Sequence, residues 1–230
     1  MGRIEHIRLD DFSVYPSLHG ALLSSPRHLR TFSVTIASGE WRGGWFNLIL
    51  ILLEHQPGLE ALKIKEQVKP RKYRPMQLGS LASMDKLTYL AVPLELLIRT
   101  MVFLFFVCPL IHKEPNNAKE EIPLGTILPS SLDTLVLSKG QIPYLDVFGE
   151  RFNQTMCDYQ IESLLEACQN DNIRLKTLGI LYTTSFPDRV NNFTFYEIAE
   201  KSKSCGIHFD YVIDVSTWNE FIENAGTIIF

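Results

Sequence analysis

The residues able to do chemistry are scattered along this chain and match no common catalytic or metal-binding spacing. Six histidines occur: His6, His19, His28, His55, His112 and His208. None forms an H-E-x-x-H pair, which would set two imidazoles on one helix face for zinc. The four cysteines, Cys108, Cys157, Cys168 and Cys205, include no C-x-x-C pair, and no His stands at ligand spacing beside one. There is no G-x-S-x-G elbow to expose a nucleophilic serine. Gly39-Glu40-Trp41-Arg42-Gly43-Gly44 is too short for a phosphate loop and lacks its lysine, so it reads as a turn. His208 and Asp210 are two residues apart and would share one face of a strand, where a surface pair is the plain reading. These absences set the expectation of a protein that is not an enzyme and needs no metal or cofactor.

Charge narrows the partners. The chain has 230 residues and a formal net charge of -4, with 46% hydrophobic and 21% charged residues. That composition suits a folded globular chain rather than a disordered one. An acidic chain lacks the broad positive footprint that nucleic acid requires, so no nucleic-acid partner is expected. Its one basic stretch holds Lys63, Lys65, Lys69, Arg71, Lys72 and Arg74 and reads first as a solvated loop. The opening Met1 to Asp10 is polar, so no signal peptide is expected. The apolar run Met101 to Ile111 is too short for a bilayer core, which takes about 20 helical residues, so a membrane is not expected as a partner. Unpaired cysteines fit a reducing compartment, so cytoplasm or nucleus is the expected location.

The elements that would position any site emerge from internal repetition. One template recurs: apolar, two variable, apolar, one variable, apolar. Its copies are Ile4-Ile7-Leu9, Leu29-Phe32-Val34, Leu59-Leu62-Ile64, Leu87-Leu90-Val92, Leu132-Leu135-Leu137 and Leu175-Leu178-Ile180. Ile207-Phe209-Tyr211 is a looser last copy. The first six starts lie about 25, 30, 28, 45 and 43 residues apart, and a leucine-rich repeat spans roughly 20–29, so the later intervals carry insertions. Turn formers precede the templates at Ser24-Ser25-Pro26, Gln56-Pro57-Gly58, Met84-Asp85, Pro129-Ser130-Ser131 and Asn170-Asp171-Asn172. Helical stripes precede several turns. Gly44 to Glu54 carries Trp45, Leu48, Ile49, Leu52 and Leu53. Thr155 to Cys168 carries Ile161, Leu164, Leu165 and Cys168, with Thr155 and Asp158 resembling a capping box. Phe193 to Lys203 carries Phe193, Tyr196, Ile198 and Ala199.

Strand, helix, turn and strand in this order predict parallel strands joined by helical crossovers. The expected fold is α/β: a leucine-rich-repeat solenoid with strands on the concave side and helices on the convex side, one domain over 1–230, incomplete at its N-terminus. An apolar insertion near 99–121 breaks the spacing. It reads as a helix covering the repeats, a membrane-associated segment or translated intron.

The order of these pieces resembles the leucine-rich-repeat region of fungal F-box-type proteins. The resemblance rests on Leu132 to Leu137 after Leu128-Pro129-Ser130-Ser131, on Val92 to Leu97 after Leu87, and on the ending Cys205 to Phe209. It spans roughly residues 4 to 213. The resemblance implies substrate recognition for a ubiquitin ligase, with recruitment through a Skp-type adaptor. No F-box is visible ahead of Ile4, so an adaptor is expected only if one lies upstream.

Alternate residues of a strand face opposite sides. The variable template positions should therefore form one face, and the candidate partner-binding residues on it are Arg8, Ser33, Lys63, Lys65, Tyr89, Thr134, Val136 and Thr177. Tyr89 stands out as an anchor because aromatic residues dominate interface energetics. The expected function is a protein-interaction module. Two alternatives stay open: a non-solenoid α/β enzyme with a pocket at the carboxyl ends of central strands, and a truncated remnant without independent function.

Overall fold

The computed structural model describes residues 4–9, 28–36, 54, 56–66, 79–97, 122–139, 149–182 and 192–212. The predicted helix at Gly44 to Glu54 (Glu54 excepted), the turn at Ser24 to Pro26, the glycine segment 39–44 and the insertion at 99–121 lie outside them.

Seven strands form one sheet: β1 (His6–Leu9), β2 (Thr31–Ile36), β3 (Ala61–Glu66), β4 (Tyr89–Pro93), β5 (Thr134–Lys139), β6 (Thr177–Tyr182) and β7 (His208–Val212). Every adjacent pair is parallel, and their order in space is their order in the chain. The order never reverses among the described strands, so they offer no switch-point crevice of the doubly wound kind.

The register follows the template. Ile7, Phe32, Leu62, Leu90, Leu135, Leu178 and Phe209 stand side by side across all seven strands. From Phe32 to Leu178 these side chains are 0% exposed, so each is sealed by its two neighbours. Each such burial is worth roughly 1.5–3 kcal/mol. The end members, Ile7 and Phe209, are only half-buried. In the last copy the register keeps the looser spacing read from the sequence. Phe209 and Tyr211 hold the expected rows, but Ile207 takes the place of Lys176, one residue later than the first apolar position.

The approach to each strand repeats as well. The Leu59 N–H donates to Gln56 O, that of Leu87 to Met84 O and that of Leu132 to Pro129 O, at 3.1, 3.0 and 3.2 Å. These are the predicted turns. The carbonyl just before each of the first five strands then accepts two amides of the next copy. Glu5 O takes the N–H of Arg30 and Thr31, Arg30 O those of Glu60 and Ala61, and Glu60 O those of Thr88 and Tyr89. Thr88 O and Asp133 O do the same for Asp133–Thr134 and Lys176–Thr177. A carbonyl has two lone pairs, so this uses the full acceptor capacity at the point where the ladder starts.

Besides the helical Glu54 and a 3-10 turn at Leu94–Leu96, the described residues hold the helices α1 (Leu124–Ile127), α2 (Gly149–Gln169) and α3 (Asn192–Ser204). The predicted α2 stripe buries Ile161, Leu164 and Leu165. The helix starts at Gly149, so Thr155 lies inside it and is not a cap. In α3 the buried stripe is Phe195, Ile198 and Ser202, while the expected Tyr196 is 64% exposed. Both longer helices end by reversing into a left-handed residue. Asp171 (φ 58°) follows α2 and Gly206 (φ 71°) follows α3. The Asp171 and Asn172 amides donate to Cys168 O and Ala167 O, and those of Gly206 and Ile207 to Lys203 O and Ser202 O. This closes the last carbonyls and turns the chain toward the sheet.

The short α1 docks on α2 by backbone approach. Its Leu124 N–H donates to Gln160 Oε1 at 2.7 Å and Gly125 N–H to Ser163 Oγ at 3.3 Å. A Cβ on Gly125 would sit 2.7 Å from both Ala167 Cβ and Ser163 O. Gly125→Ala should cost about 1–3 kcal/mol through overpacking, read as a lowered urea midpoint. An unchanged midpoint would mean that α1 does not dock this closely.

Candidate interaction face

The register settles which of the expected residues share a face. Arg8, Ser33 and Lys63 stand opposite one another on β1, β2 and β3, and Thr35 stands opposite Lys65. Tyr89, Thr134 and Thr177 form one row across β4, β5 and β6. Val136 lies between Ala91 and Gly179 in the next. All eight candidates therefore lie on the side away from the main core.

Their exposure divides them. Arg8 is exposed, and Lys63, Lys65, Thr134 and Thr177 are half-buried. Ser33, Tyr89 and Val136 are buried. Tyr89 overturns the expectation of an accessible anchor, being 1% exposed. It belongs to a second, smaller apolar cluster with Ala61, Ala91, Val136 and Leu181, with Val212 packed against it. Burial pushes its phenol well above the ordinary range, so it stays protonated. Tyr89 supports the centre of the sheet instead of offering a contact. Period-two facing fixes which side a residue takes and carries no information on whether that side is covered.

The face is electrically uneven. Its described cations, Arg8, Lys63 and Lys65, lie on β1 and β3, while its described carboxylate, Asp210, is on β7 at the other end. The middle strands carry hydroxyl and apolar side chains: Thr134, Val136, Ser138, Thr177 and Leu181. His6 Nδ1 lies 2.8 Å from Thr31 Oγ1, which joins β1 to β2 on this side. The remaining basic residues of the predicted stretch, Lys69, Arg71, Lys72 and Arg74, lie outside the described residues.

A second charged row escaped the sequence reading. The residues leading into the strands are Glu5, Arg30, Glu60, Thr88, Asp133 and Lys176. Arg30 Nε and Nη2 donate to Glu60 Oε1 and Oε2 at 2.9 and 2.7 Å, a two-pronged contact across neighbouring strands. Glu5 Oε2 is 3.9 Å from the same guanidinium. Lys176 Nζ donates to Asp133 Oδ2 at 2.9 Å. The alternation of sign at one template position was a usable signal, visible once the copies are aligned.

Burial pushes the Cys168 thiol up to about 11, which leaves it protonated and a poor nucleophile at neutral pH. Among the described residues no group of three His, Cys, Asp or Glu converges on a point. No helix among them is long and apolar enough to cross a membrane. Compared with family models, curated proteins and solved structures, the chain finds no match in any of the three.

The Arg30 contact has a pH signature. Its hydrogen bonds hold the Glu60 carboxyl below the usual range. A depressed carboxyl stabilises the fold above its unfolded value, and that contribution disappears as pH falls through the folded one. In a carboxyl NMR titration, Arg30→Met should raise the Glu60 midpoint toward the ordinary value. An unmoved midpoint would show that the pair does not form in solution.

Proposed function

We propose that this chain is a leucine-rich-repeat-type solenoid whose variable strand face holds a partner protein. The observation that carries the reading is the continuous row from Ile7 to Phe209, in which copies unequally spaced in sequence stack in sequential parallel order. Such stacking leaves the core positions little freedom and the positions between them free to vary, which suits recognition. Seven strands about 4.8 Å apart span roughly 30 Å, enough for an extended segment or a small domain surface. If the resemblance to F-box-type proteins reflects descent, the partner is a ubiquitin-ligase substrate, and a Skp-type adaptor binds outside the repeats. The unreversed strand order favours this reading over an enzyme with a switch-point pocket.

Thr134 and Thr177 make the direct test because they are adjacent, partly exposed and on this face. A photo-crosslinking side chain at either position should trap the same partner from an extract of the source cells. The same group at Tyr196, exposed on α3, should not. A Thr134→Arg substitution should remove the adduct formed from position 177 while leaving the thermal melt intact. Equal trapping from Tyr196 would contradict a face-specific interaction.

A further inference from the structure

We propose that this chain associates end to end with a second copy of itself, β1 of one copy lying along the outer edge of β7 of the other and continuing the sheet. This surface is separate from the variable strand face and does not depend on the partner read there.

Burial of the template lapses at its two ends. The first apolar position is at most 6% exposed at Leu29, Leu59, Leu87, Leu132 and Leu175, yet Ile4 is 52% exposed. At the last position, copies two to six are at most 3% exposed, yet Tyr211 is 38% exposed. No residue of β1 or β7 is fully buried, whereas every residue of β4 is. The side chains are apolar or aromatic throughout, so the difference is the neighbour. Each inner copy is sealed on two sides and each end copy on one.

Edge geometry names what fits there. Each inner strand turns one edge to its predecessor and the other to its successor. Among the described residues β7 leaves its successor edge unpaired and β1 its predecessor edge. These are the two halves of the step already made within the chain at every strand pair. Ile207 O holds the place of Glu5 O and Arg30 O, and among the described residues no amide reaches it. The Glu5 and His6 amides of a second copy correspond to those of Arg30 and Thr31, which fill that place in the first step. His208 N–H donates inward to Lys176 O, so alternation turns the Phe209 and Tyr211 amides outward. Tyr211 N–H meets Asp210 Oδ1 at 2.8 Å, a local substitute for a strand carbonyl.

The side chains match in the same register. Continued by one strand, the ladder sets Ile7 of the second copy beside Phe209 and Leu9 beside Tyr211. Tyr211 stacks on Phe195 at 4.6 Å between ring centres, with Phe209 at 6.0 Å, so its ring is held in place before contact. On the other side of the sheet Asp210 would stand beside Arg8. Both keep contacts within their own copy, and their opposite signs still favour this pairing. A contact between unlike edges is head to tail, so each added copy presents the same open end again.

Sedimentation velocity of the full chain tests this. Weight-average mass should rise with concentration and should not level off at two copies. Ile4→Lys blocks the β1 end and Tyr211→Lys the β7 end, both at exposed positions. Each variant alone should sediment as one copy, with a circular-dichroism melt like that of the parent chain. Mixed in equal amounts they should form a complex of two copies and no larger, since one intact end of each kind remains. His6→Pro removes an edge amide at the first residue of β1, where proline is tolerated, and is a second β1-end variant should Ile4→Lys fail to fold. A parent chain that stays a single copy at every concentration would overturn the proposal. So would a single-end variant that pairs with itself, the mark of a two-fold contact, or a mixture that forms no complex.

Discussion

No strand of this sheet can stand alone, and that dependence organises the molecule. Each edge of a parallel strand presents both N–H and C=O groups, from alternate residues, and each edge needs a neighbour. Here the neighbour is always the next copy of the template. The carbonyl ahead of each of the first five strands accepts both leading amides of the following copy. The same step sets Phe32 on Leu62, Leu62 on Leu90, Leu90 on Leu135 and Leu135 on Leu178. Hydrogen-bond register and hydrophobic burial thus enforce one another. A slip by one residue would move each core leucine to the opposite face.

Charge refines this arrangement without creating it. Arg30 with Glu60 and Lys176 with Asp133 bridge consecutive copies at the strand starts, where the side chains remain 38–74% exposed. Exposed pairs of this kind contribute far less than the burial of one leucine. Their value lies in opposing signs at equivalent positions, which penalises a copy pairing out of turn. Helices α2 and α3 are linked in the same fashion by Lys201 and Glu162. On the other face, the cluster around Tyr89 divides a cationic end from an end carrying His208 and Asp210.

Much of this was legible in the sequence, for identifiable reasons. Leucine spacing located all seven strands, because buried positions two and three residues apart tolerate few alternatives. Pro57-Gly58, Asp85 and Pro129 marked the turns, because their backbone preferences are local. What failed was non-local. Nothing near Tyr89 in sequence reveals that its side of the sheet is covered at the centre. Gly125 gave no sign of its contact with Ala167, which is formed across a helix pair. On α3 the predicted Ile198 is buried, but Tyr196 was misjudged because it adjoins Phe195 and only packing selects which of the two aromatics is covered. In the last copy Gly206 is occupied in ending α3, so the first apolar position of the template is forfeited.

The central claim is that copies distant in sequence are neighbours in one continuous ladder. Methyl-labelled NMR of the full chain tests it most directly. The account predicts nuclear Overhauser contacts from Leu62 to Leu90, from Leu90 to Leu135 and from Leu135 to Leu178, linked in series. With all four residues assigned, absence of the Leu90–Leu135 contact would contradict it, since that step joins the copies on either side of the longest interval.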